Sequence, residues 1–357
     1  MYFSWRPRRP PWPALTGAVL RATSGEGVWP RIPRRRGRAL KIWILTDGKI
    51  GDRVQCLGVV SRLGAQAEEK VIVPGKPWEW WMPRGPVPPK HRPGRPDSPI
   101  SPPFPDVAIA SGRRMVPYLK AVKKASGGKT FTVFLKDPRI GASAADLIWM
   151  PRHDRFRADN VLVTDTGPHP LSEAAIAEAA KERPEAWERL PSPRLGLLIG
   201  NPVSGTRDEA AALRHFMGQI DHAKSEVGSI IVTQSRRTPE AAMTALRARL
   251  AGFPHWIWSP DEANPYRALL GFCDMLAVTG DSHNMVSEAL STGRPVFPLA
   301  PYALNPKLAG FLRRLEEAGQ TRPFDGPLRP YSYDRVDATE EIAAAIRRGL
   351  AAHGRKG

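Results

Sequence analysis

The residues best suited to chemistry stand just after apolar runs. "VTGDSHNMVSEAL" sets Gly280, Asp281 and Ser282 ahead of an amphipathic stretch, with Glu288 two turns along it. Main-chain N–H groups at a helix start hold anions, and Glu288 is spaced to accept both hydroxyls of a ribose. "TQSRRTP" sets Ser235, Arg236, Arg237 and Thr238 before Pro239, which is expected at the first helical position. Two fork-shaped arginine donors between two hydroxyls suit a diphosphate. Both stretches also fit plainer roles, as a capped helix and as solvated arginines beside a Thr cap.

Three other stretches are similar in kind. "LTDGKIGDRVQ" delivers Asp47, Gly48, Lys49, Gly51, Asp52 and Gln55, either as a ligand loop or as turn and capping chemistry. It matches neither the Walker loop nor the dinucleotide fingerprint. "MPRHD" delivers His153 and Asp154, a base with an acidic partner or a surface hydrogen bond. "IGNPVSGTRDE" delivers Gly200, Asn201, Ser204 and Gly205, with Asp208 as a possible cap. No metal-ligand cluster and no nucleophile elbow is present in the sequence.

These residues need a scaffold that gathers strand ends. Short apolar runs alternate with helical spacing, beginning at "KIWIL" (41–45), and the pattern restarts at "RLGLLIG" (194–200) after the linker "RLPSPR" (189–194). Such βα alternation predicts two parallel-sheet α/β domains with ligands beyond the carboxyl ends of the strands. The expected division is an N-terminal Rossmann-like domain over 40–190, a C-terminal Rossmann-like domain over 194–335, and a final helix within 336–357. "EKVIVPG" (69–75) is expected to be a strand. Residues 74–105 contain 12 prolines in 32 positions, so neither helix nor central strand is expected there. That insertion also holds Trp78, Trp80 and Trp81 among five Lys and Arg residues. It suits either an anionic membrane surface or a loop whose tryptophans pack on the domain.

The net charge is +18, and residues 1–41 supply +9 of it through nine Arg and one Lys against Glu26. The leader 1–39 reads as disordered, or as the product of an upstream start codon. Excess positive charge is compatible with phosphorylated ligands, lipid headgroups or nucleic acid, but no nucleic-acid reading motif accompanies it. The only cysteines, Cys56 and Cys273, form no framework, which suits a reducing cytoplasm. No run is long enough to span a bilayer.

Taken together, "DGKIGDRVQ", "MPRHD", "TQSRRTP" and "VTGDSHNMVSEALSTGRPV" resemble, in that order, the mitochondrial-fission "elongated mitochondria" protein family of plants and its bacterial relatives. The resemblance spans roughly 40–335. It implies a GT-B-like fold, with two Rossmann-like domains facing across a cleft and a last helix returning to the first domain. It also implies a nucleotide diphosphate sugar as donor substrate, without other cofactor or metal. Ser235, Arg236, Arg237 and Thr238 would hold the diphosphate beside Gly280, Asp281 and Ser282, and Glu288 the ribose. Lys49, Gly51 and Gln55 would face the acceptor, with Asp52 or the His153/Asp154 pair as base. The activity implied is glycosyl transfer to a cell-envelope or lipid-linked acceptor, by a cytoplasmic protein peripheral on the inner membrane. The alternatives are a non-catalytic membrane-associated scaffold and a sugar-nucleotide epimerase. This chain departs from the pattern at His283, Asn284 and Asn201.

Overall fold

The computed structural model describes residues 40–353, so the Arg-rich leader 1–39 lies outside the described residues. The first six strands are β1 (Ile42–Thr46), β2 (Ala67–Val71), β3 (Val107–Ser111), β4 (Phe131–Leu135), β5 (Leu147–Pro151) and β6 (Val161–Thr164). They form one sheet, ordered β2-β1-β3-β4-β5-β6, and all its pairings are parallel. The alternation of β1 decides its layers. Ile42 and Ile44 pack in one core with α1 (Ile50–Arg62), whereas Trp43 and Leu45 pack in another with α3 (Val116–Ala125).

The second sheet contains β7 (Arg194–Ile199), β8 (Ser229–Gln234), β9 (His255–Ile257), β10 (Met275–Thr279) and β11 (Val296–Leu299), ordered β11-β10-β7-β8-β9 and again parallel. Its layers include α5 (Glu209–Glu226), α6 (Glu240–Leu250), α7 (Tyr266–Phe272), α8 (His283–Leu290) and α9 (Pro306–Glu317). Gly196 on β7 has no room for a side chain, since a Cβ there would lie 2.5 Å from Leu269. The Ala-rich helix α4 (Glu173–Lys181) packs on α7, where a Cβ on Gly271 would lie 2.8 Å from the Ile176 carbonyl.

The last helix, α10 (Ala338–His353), crosses back to the first sheet and packs on α1, β4 and β5. Ile342, Ala343 and Ile346 enter the same core as Ile42 and Ile44. The Arg62–Asp337 ion pair at 2.6 Å ties its start to the end of α1.

Three local expectations are corrected. β2 ends at Val71, not near Gly75: it is an edge strand, and Val73 beyond it is 66% exposed. The Pro-rich insertion does contain a helical turn, α2 (Trp78–Trp81). Pro77 occupies its N-cap position and Pro83 follows its end, so no ring falls inside the turn. Pro239 is the N-cap of α6 rather than its first helical residue, with φ −65° and ψ 140°.

Candidate functional site

In each sheet the chain reverses its winding beside the first strand, between β1 and β3 and between β7 and β10. Open α/β sheets bind ligands at such crevices. In the second sheet, the loops after β7, β8 and β10 converge there. The Thr279 hydroxyl accepts from Gly200 N at 2.7 Å and donates to Asp281 Oδ1 at 2.8 Å. A Cβ on Gly200 would stand 2.3 Å from that same oxygen, so the glycine is what admits the Asp281 side chain. Thr238 Oγ1 lies 2.6 Å from Gly200 O and 2.9 Å from Ile199 O, and accepts from Ser235 N. Its proton is thus committed to the backbone, and Thr238 shapes the loop. Ser235 Oγ accepts from Arg237 N at 3.1 Å and lies 3.3 Å from Thr238 Oγ1, so its own proton turns back into the loop.

The two arginines divide. Arg237 Nη1 lies 3.1 Å from Asp281 Oδ2, a buried oxygen that no donor reaches with hydrogen-bond geometry; the contact is electrostatic. Arg236 makes no ion pair among the described residues and lines a cleft of about 490 Å³ with Ser235, Trp258, Asn264, Tyr266 and Met285. It supplies that cleft with unbalanced positive charge. Ser282 caps α8, accepting from Met285 N at 3.4 Å, and the N–H groups of His283 and Asn284 stand outside the intrahelical ladder. Gly280 N is already used, donating to Leu299 O at 2.8 Å, and a Cβ on Gly280 would meet Leu312 at 2.7 Å. Glu288 accepts from the Tyr266 hydroxyl at 2.5 Å. Burial raises the Glu288 carboxyl above the usual range, and burial with the Glu288 charge raises the Tyr266 phenol.

His283 does not point at a phosphate pocket. Its Nε2 donates to Asp165 O at 3.1 Å, its ring packs 4.3 Å from Phe311, and burial lowers its pKa to about 4. It is a domain contact, reinforced by Gly167 N donating to Ser287 Oγ, Arg314 with Asp165, and Lys307 with Asp154. Another departure, Asn201, closes a local turn by accepting from Val203 N. His153 is brought across the cleft, its ring centroid 5.4 Å from that of His283 and its Nε2 3.9 Å from Asp154. Burial lowers the His153 pKa more than Asp154 raises it, so the ring is held neutral.

In the first sheet, Asp52 Oδ1 accepts from Lys136 Nζ at 2.7 Å and from Ser111 Oγ at 3.1 Å. Lys136 sits at φ +83°, a conformation that lysine rarely adopts. Arg114 lies 3.5 Å from Asp47 and 2.8 Å from Glu79, tying α2 to the β1 loop. Lys49 is exposed, Gly51 has open space around it, and Gln55 is buried with its Oε1 unpartnered. Asp52 reaches no second-domain side chain by hydrogen bond or ion pair among the described residues, whereas Asp154 and His153 do touch that domain. Trp258, Tyr266 and Lys136 escaped the sequence reading. Trp258 and Lys136 follow β9 and β4, so the strand-end rule applied to every strand finds them; no sequence signal marks Tyr266.

Two Rossmann-like domains that face across a cleft, joined by a returning last helix, define a GT-B-like α/β protein. A family model described as mitochondrial fission ELM1 matches residues 50–350, and the chain belongs to that family. The mitochondrial fission protein ELM1 of Arabidopsis thaliana is 29% identical over 277 residues, 70% of this chain and 65% of the plant protein. The match therefore spans just under two thirds of that relative. Among solved structures, a Listeria monocytogenes protein described as a UDP-N-acetylglucosamine 2-epimerase aligns over 90% of this chain and 98% of its own, with a TM-score of 0.51 and 11% identity. The UDP-GlcNAc 2-epimerase of Neisseria meningitidis, bound to UDP-GlcNAc, aligns over 87% and 100%, with a TM-score of 0.49 and 12% identity. Identities this low make these likenesses of fold alone. No helix among the described residues is long and apolar enough to cross a membrane.

Proposed function

We propose that the second-domain cleft binds a nucleotide diphosphate sugar and that the chain transfers the sugar to a cell-envelope or lipid-linked acceptor held by the first domain. The observation behind this reading is Arg236, an unpaired cation lining the cleft beside the Ser235 hydroxyl. Arg236 and the first-turn N–H groups of α8 would stabilise the charge growing on the departing diphosphate. Arg237 would act through Asp281, fixing the loop. His153 is the better acceptor base, because a neutral imidazole can take a proton while Asp52 is engaged by Lys136 and Ser111. In this reading the protein is cytoplasmic and peripheral on an anionic inner-membrane surface through 74–105. The test is calorimetric binding of nucleoside diphosphates to the wild type and to Arg236→Ala; unchanged binding in the variant sinks the reading.

One observation favours a second reading, a non-catalytic scaffold that recruits partners at a membrane. Tyr266 already occupies one oxygen of the Glu288 carboxyl that a ribose would need. A stable protein partner, with function surviving Arg236→Ala and His153→Ala, would support the scaffold.

A further inference from the structure

The insertion 74–105 takes the place of the β2–β3 crossover helix and lies on the α3 face, where Met82, Val87 and Ile100 are buried in the domain core. Between it and α3 runs a groove of about 1210 Å³. Arg84 and Arg92 line it from the insertion, Lys120 and Lys124 from α3, and Arg139 from the loop after β4; no carboxylate does. All five cations are exposed, and none makes an ion pair among the described residues. Their neighbour Lys123 shows the contrast, since Asp146 neutralises it. Lys120 and Lys124 stand one helical turn apart on one face of α3, and Arg139 is held in the left-handed region at φ +61°. Val87, Pro117 and Ile140 give the groove an apolar floor.

The wall of this groove runs straight out of α2. Gly85 N donates to Trp81 O at 2.7 Å, and a Cβ on Gly85 would lie 2.6 Å from Trp81 Cβ. Trp80 and Trp81 are 64% and 55% exposed within a few residues of the wall. Of the six large exposed apolar side chains among the described residues, Ile50, Val71, Val73, Trp80 and Trp81 belong to the start of α1, the end of β2 and the segment after it, and α2. Such concentration marks an interaction surface rather than scattered exposure.

We infer that this groove seats the phosphate-bearing headgroup of an anionic membrane lipid, with Trp80 and Trp81 entering the bilayer interface beside it. Clustered unpaired cations match phosphate charge, and tryptophan prefers the headgroup boundary. The inference rests on the membrane-surface part of the proposed function and is independent of sugar transfer.

The test is co-sedimentation of the full chain with phosphatidylcholine vesicles, with and without phosphatidic acid. Binding is expected only to the anionic vesicles. Lys120→Glu with Lys124→Glu should weaken it at least about tenfold, and inorganic pyrophosphate should compete. Trp80→Ser with Trp81→Ser should weaken it too. Thermal unfolding and nucleotide binding of each variant check that the fold and the second-domain cleft persist; if the glutamate pair misfolds, Lys120→Gln with Lys124→Gln replaces it. Vesicle binding that survives both lysine pairs overturns the groove while leaving membrane docking intact. Equal binding to RNA and to vesicles, indifferent to the tryptophans, overturns the lipid assignment. No binding to anionic vesicles removes both the groove and the membrane-surface reading, and leaves nucleotide binding to be judged on its own.

Discussion

The two switch points place charge in opposite ways. In the second domain the acid Asp281 is buried and fixed by Thr279, the gap left by Gly200 and the nearby Arg237, so that Arg236 is left to face the cleft. In the first domain the acid Asp52 is neutralised by Lys136, and the five unpaired cations of the insertion groove stand on the α3 face. The same architecture thus gives one domain a compact cleft lined by one arginine and the other a broad basic surface. Fold determines where strand ends gather; the pairing of each charge decides what they can hold.

Four changes should separate the two regions experimentally. The largest effect should come from pH at the contact joining the two regions. His283 is packed neutral, with a pKa of about 4, below its ordinary value. Its contribution is therefore present above about pH 6.5 and is lost as pH falls toward about 4, amounting to roughly 3 kcal/mol at full protonation. Chemical unfolding followed across that window should show the loss, and His283→Asn should reduce it, leaving the part due to the other buried histidines.

Next is Gly200→Ala, which forces Asp281 out of its seat. It should cost about 2 kcal/mol in urea unfolding and abolish nucleotide binding with it. The matching glycine of the first domain is needed for a different reason. Gly48 has φ +88° and its nearest neighbour would be 3.9 Å from a Cβ, so Gly48→Ala should cost only about 1 kcal/mol of backbone strain and spare the nucleotide. Equal losses in the two variants would contradict the distinction. Smallest is the difference between Lys136→Gly and Lys136→Ala. Both remove the Asp52 pair, but only glycine relieves φ +83°, so the glycine variant should be the more stable by up to about 1 kcal/mol.

Much of this arrangement was legible in the sequence. Apolar runs alternating with helical spacing gave two parallel α/β sheets, and "SRRTP" and "TGDS" fell on neighbouring loops of one crevice. The assignment of roles was not legible. Nothing in adjacent arginines tells that Arg237 would meet Asp281 while Arg236 lines the cleft, because that depends on a contact between separate strand ends. Nor could the pairing of Glu288 with Tyr266, across 22 positions, be read from either segment. His283 stands out in the sequence only as a departure from the family pattern, since spacing does not say which way a helix-start side chain turns; packing on Phe311 and the Asp165 carbonyl turns it toward the first domain. Proline content alone also misled: it excluded helix from the insertion, although prolines at the flanks permit the turn that exposes Trp80 and Trp81.

In the proposed function, Arg236 equips the second-domain cleft for a nucleoside diphosphate. Calorimetric titration of the full chain with a panel of nucleoside diphosphates and their sugars tests it most directly, beside Arg236→Ala and the Lys120→Glu/Lys124→Glu pair. Saturable binding is expected for one base, weakened at least about tenfold in Arg236→Ala, as fits removal of a charge-assisted contact, and kept in the lysine pair. Binding by none of them, or binding indifferent to Arg236, would contradict it.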